Sequence, residues 1–146
     1  MKLSEVVRPA VFGAFDGVVT VLGILFVLSG DHALLASAVG LAAAGTVSMA
    51  GGEWLSDSDH GPGASAVIGL TTGVGTLVPV APYALWHGWA AAGVSVGLCA
   101  AVGAAIAWAR SESRGGPARA FGETFGVLLA AGAAAALAAW LTGGVG

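Results

Sequence analysis

Long apolar runs separated by short polar breaks organise this chain. A membrane-spanning helix needs about 20 apolar residues, and five stretches qualify. The first runs from Pro9 to about Ser29, with Pro9 well placed at a helix start because its missing N–H is unsatisfied there anyway. Gly30-Asp31-His32 reads as a tight turn, and the second run spans about Ala33 to Ser56. Asp57-Ser58-Asp59-His60-Gly61-Pro62-Gly63 is a loop by its Gly and Pro content. The third run spans Ala64 to about Trp86, and Pro79 and Pro82 break its far half. The fourth covers about Gly88 to Arg110, Ser111 to Pro117 is a polar loop, and the fifth covers about Ala118 to Leu141. No soluble domain, repeat or linker interrupts this plan. The pattern predicts an all-α integral membrane bundle of five transmembrane helices, one domain over residues 1–146.

Composition strengthens that reading. Hydrophobic residues make up 57% of the chain and charged residues 9%, against about 25% charged in soluble domains. The 25 glycines and abundant alanines suit close helix contact in lipid, where no hydrophobic force drives helices together. A single cysteine, Cys99, excludes an internal disulfide and any cysteine-based metal cluster. The first apolar run carries Asp16 and exceeds the usual apolar region of a signal peptide, so cleavage is not expected.

Charge then sets a topology. With five spans, Lys2, Arg8, Arg110, Arg114 and Arg119 all fall on one side. By the positive-inside rule the N-terminus is cytoplasmic and the C-terminus outside. Trp54 and Trp108 mark the inner boundary, and Trp86, Trp89 and Trp140 the outer one, as an aromatic belt does.

One residue does not fit the apolar pattern. Asp16 puts a carboxylate inside a spanning run, where a charge costs roughly 2.5–3.5 kcal/mol or more. It is therefore protonated, paired, facing a wet cavity or binding a cation. Seven residues past Pro9, it lies roughly 10 Å inside the inner boundary. Met49 reaches about the same depth on the returning helix, and Glu53 is one turn shallower. Gly13, Asp16, Gly17, Thr20 and Gly23 share one face of the first helix, as Gly45, Met49, Gly52, Glu53 and Ser56 do on the second. The two small faces are expected to approach each other and present carboxylate and thioether to one cavity. Carboxylate oxygens favour hard divalent ions, and a thioether adds preference for transition metals. A two-fold dimer would duplicate the few ligands one chain supplies. Low dielectric favours the protonated carboxylic acid and a nearby cation the ionised one, so such a site can exchange a proton for a metal ion.

Structural readings compete with these. Gly13–Gly17, Gly69–Gly73, Gly93–Gly97 and Gly122–Gly126 all fit helix packing. A methionine at helical spacing is commonly core filler. Asp57, Asp59 and His60 are either a solvated loop or a mouth that attracts metal. Arg119 and Glu123 are spaced for an i, i+4 salt bridge. Cys99 reads as buried and inert, and His32 and His87 as solvated loop residues.

Arg8 followed by Gly13-Ala14-Phe15-Asp16-Gly17-Val18-Val19-Thr20 resembles the first transmembrane helix of the vacuolar iron transporter (VIT) family. Ser48-Met49-Ala50-Gly51-Gly52-Glu53-Trp54-Leu55-Ser56 is similar to that family's second-helix signature, and Pro79-Val80-Ala81-Pro82-Tyr83 to its proline pair. The resemblance covers nearly the whole chain. It implies a homodimer exporting Fe²⁺ or Mn²⁺ from the cytosol against protons. The family's pathway aspartate, methionine and glutamate match Asp16, Met49 and Glu53. Two departures stand out: Phe15 replaces the asparagine usual before Asp-Gly, and Asp57 to Gly63 stand where many members carry a cytoplasmic metal-binding domain.

The expectation is a divalent-metal transporter in which Asp16 and Met49 form the mid-membrane site and Glu53 the inner gate. The alternative is a non-transporting structural or assembly protein in which Asp16 is a protonated hydrogen-bond donor. An enzyme is not expected, because no His-Glu-x-x-His, Gly-x-Ser-x-Gly or Walker lysine occurs. Expected partners are membrane lipid, a second copy, metal ions and protons, with no prosthetic group and no nucleic acid. The Ala- and Gly-rich composition points to a bacterial cell membrane rather than a vacuolar one.

Overall fold

The computed structural model describes residues 3–28, 33–56 and 62–142, and among them the regular structure is entirely helical. Helix α1 is Leu3–Leu28, α2 Ala33–Ser56, α3 Pro62–Val80, α4 Gly88–Arg110 and α5 Pro117–Leu141. A 3₁₀ turn, Ala81–Ala84, follows α3. All five helices are long and apolar enough to cross a membrane. This is a multi-pass membrane architecture.

Helix bounds differ from the apolar runs where polar residues continue a helix. α1 begins six residues before Pro9, which therefore lies inside the helix rather than at its start. Hydropathy marks where a helix becomes apolar, and Glu5 and Arg8 sit on helical turns ahead of that point. The proline pair acts as expected at its second member: α3 passes through Pro79, and Pro82 lies in the 3₁₀ turn. α5 starts on Pro117, whose fixed φ suits a first helical turn. The 29–32 turn and the 57–61 part of the acidic loop lie outside the described residues.

α3 is the centre of the bundle. More than half of it is buried, against about a third or less of any other helix. Glycines bring its neighbours to backbone contact. A Cβ on Gly13 would overlap the Ile68 carbonyl and the Thr71 hydroxyl, and one on Gly17 the Thr72 carbonyl. On the α3 side, a Cβ on Gly75 would come 2.6 Å from the Ala14 carbonyl oxygen. The other flank of α3 meets α2 the same way, with Gly69 against the Thr46 carbonyl and Ala50, and Gly73 against the Thr46 hydroxyl.

A larger apolar core fills the half of the bundle away from the arginines. Val18, Val21, Ile24 and Leu25 of α1 join Leu34 and Ala38 of α2, Val80 and Tyr83, Ala91 and Cys99 of α4 and Leu128 of α5. Cys99 is buried and unpaired, as the sequence suggests. Two glycine pairs do not pack as expected. Cβ atoms on Gly93, Gly97, Gly122 and Gly126 would meet nothing within 4 Å. These glycines look outward from α4 and α5. All five tryptophans are exposed, as rings facing a membrane boundary are.

Candidate functional site

Asp16 stands three residues after Gly13 and one before Gly17, the two glycines that press α1 onto α3. Its side chain therefore leaves α1 at the edge of that contact and is half-buried. Among the described residues its carboxylate makes no hydrogen bond or ion pair. Phe12, Asp16, Thr20 and Gly23 share one stripe of α1. Phe12 is 58% exposed, and a Cβ on Gly23 would meet nothing within 4 Å. The chain leaves this stripe only partly covered.

On α2, Thr46 and Ala50 touch α3. Met49 and Glu53 lie three and seven residues after Thr46, so they continue that face, and both are half-buried. The Ser56 hydroxyl donates to the backbone carbonyl of Glu53 at 3.3 Å, which leaves the Glu53 carboxylate uninvolved. The expected direct meeting of two small faces is corrected here. The glycines of α1 meet α3, and the face of α2 that bears Met49 meets the glycines of α3. Only Gly45 approaches a shared neighbour, with its Cβ position 3.3 Å from the Thr72 methyl, and Gly52 faces open space. α3 thus packs against both the helix that carries Asp16 and the face of α2 that carries the pair.

No group of three or more His, Cys, Asp or Glu side chains gathers among the described residues. Asp57, Asp59 and His60 lie outside them. His87 is exposed at the N-cap of α4.

Local spacing along α5 predicts only one contact of a second charged cluster. Arg119 Nε donates to Glu123 Oε1 at 3.0 Å, as the i, i+4 spacing predicts. Glu123 also has Arg110 and Arg114 at 3.6 Å, and Arg110 donates to the Thr124 hydroxyl at 3.1 Å. Beside this cluster is a cavity of about 500 Å³ between α1, α4 and α5, with Arg8 on its wall. The grouping of every arginine on one side was the available signal. Their convergence on one carboxylate depends on how α4 and α5 pair.

No protein-family model, no characterised protein and no solved structure matches the chain.

Proposed function

We propose that the protein exports a divalent transition metal, Fe²⁺ or Mn²⁺, from the cytosol in exchange for protons, working as a homodimer with a cytoplasmic N-terminus. The observation that carries this reading is Asp16: a carboxylate within a spanning helix, with no internal partner among the described residues, on a stripe that its own chain leaves partly open. Intramembrane acidic residues commonly mark ion pathways. Met49 and Glu53 supply a thioether and a second carboxylate on the neighbouring face of α2, a donor set suited to such metals. A two-fold axis along the open stripe of α1 would bring two copies of Asp16 together. The motif resemblance to vacuolar iron transporters supports the same assignment.

The assembly reading keeps one favourable observation, the open glycine faces of α4 and α5. Reconstituted vesicles separate the two. The transporter reading expects Fe²⁺ or Mn²⁺ flux that rises with an opposing proton gradient. It also expects Asp16→Ala to cut flux at least as far as the roughly tenfold typical of losing even an outer-sphere metal partner. It fails if no flux is seen, or if Asp16→Ala leaves metal binding unchanged while disrupting assembly. Flux indifferent to the pH gradient would replace the antiporter by a channel.

A further inference from the structure

The arginine-lined cavity has two chemical levels. Arg8, Arg110, Arg114, Glu123 and Thr124 form its polar end, and Val11, Phe12, Phe15, Ile106 and Val127 its apolar walls. Along α1 the lining runs from Arg8 to Phe15, about 10 Å at 1.5 Å per residue. The polar end lies near exposed Trp108, two residues before Arg110, where a bilayer boundary is expected. Val127 of α5 is 52% exposed, so the cavity opens sideways on that flank, where lipid would lie.

Its charge is unbalanced. Three arginines and one carboxylate line it, which leaves two positive charges, and Arg119 adds another beside it. Arg110 and Arg114 stand 3.6 Å from Glu123, beyond a good charge-assisted hydrogen bond. Arg8 makes no ion pair among the described residues. Guanidinium donors are therefore available at the same level as a phospholipid phosphate. Glu112 in the same connection is exposed to solvent.

We infer that this cavity binds an anionic phospholipid, with the phosphate held by Arg8, Arg110 and Arg114 and the start of an acyl chain against Phe12, Phe15, Ile106 and Val127. A free phosphate shares the headgroup chemistry but has no use for the apolar walls or the lateral opening. Basic pockets between transmembrane helices are recognised sites for acidic lipid headgroups. This inference uses none of Asp16, Met49 and Glu53, but Phe12 also begins the stripe of the proposed dimer axis, so the mouth of the cavity borders that seam.

The test is native mass spectrometry of the full chain in detergent, titrated with phosphatidylglycerol, phosphatidylcholine or inorganic phosphate. Phosphatidylglycerol should be retained well above the other two. Arg8→Gln touches none of the Glu123 ion pairs and should lower retention about fivefold, the equivalent of roughly 1 kcal/mol per basic residue. Arg110→Gln with Arg114→Gln should lower it further. Val127→Trp keeps every charge but fills the apolar end, and it should also displace the lipid. Equal retention of phosphatidylcholine would overturn the inference. So would inorganic phosphate binding as well as the lipid, or unchanged lipid retention in both Arg8→Gln and Val127→Trp.

Discussion

The two sides of the bundle use the same small-residue spacing to opposite ends. On one side, Gly13, Gly17, Gly69, Gly73 and Gly75 press three helices to backbone contact, with α3 in the middle. On the other, Gly93 and Gly97 of α4 and Gly122 and Gly126 of α5 face away from the rest of the chain. Where α4 and α5 do meet at a glycine, the neighbour of Gly103 is the flexible end of Leu128, 2.7 Å from its Cβ position. A four-residue glycine spacing therefore shows that a face can be approached closely. It does not say whether the approaching helix belongs to the same chain.

Substitutions sharpen this contrast, and the largest effect falls where backbone meets backbone. Gly17→Val places atoms onto the Thr72 carbonyl and against the backbone of Gly75 and Thr76, none of which can rotate away. It should cost about 3 kcal/mol, the upper part of the usual overpacking range, read as a collapse of the thermal midpoint in detergent. Gly69→Ala meets the Thr46 carbonyl oxygen at 2.5 Å and the Ala50 Cβ at 2.8 Å, and should cost about 1–2 kcal/mol in the same assay. Gly93→Ala meets nothing, so in an isolated chain it should be neutral or stabilising by up to about 1 kcal/mol through helix propensity. If Gly93→Ala lowers the midpoint in a concentration-dependent way, a second molecule covers that face and the contrast between the two sides disappears.

The sequence was most informative about what each residue does alone. Five apolar runs gave five helices, Pro82 ended the straight part of the third, and the tryptophans lay on the surface. It was least informative about partners. In a soluble helix the buried face announces itself by contrast with a polar one. Here both faces are apolar, so nothing in the order of Gly and Ala distinguishes α3, buried between two neighbours, from α5, largely exposed. The same limit explains the pairing error at Gly13 and Gly17, which meet α3 and not α2. Asp16 and Glu53 were legible as candidates because charged side chains are conspicuous in such a chain, and Met49 by its depth and its place in the second-helix motif. The packing of both helices against α3 was not, because it arises from glycines that carry no chemistry. Glu123 showed its Arg119 partner by local spacing, whereas Arg110 is 13 positions away and is brought near by the turn through Gly115 and Gly116, both at positive φ.

The hydroxyls of α3 have a mechanical consequence. Thr72 donates to the Ile68 carbonyl at 2.9 Å, Thr76 to the Thr72 carbonyl at 2.9 Å and Thr71 to the Val67 carbonyl at 2.7 Å, all within their own helix. Among the described residues no side-chain hydrogen bond crosses from α3 to α1 or α2. The closest surfaces in the bundle are thus held by shape without directional bonds. A displacement of α1 or α2 along α3 would exchange no side-chain hydrogen-bond partner among the described residues. The resistance to such a shear is steric, set by the backbone groups seated in the glycine notches.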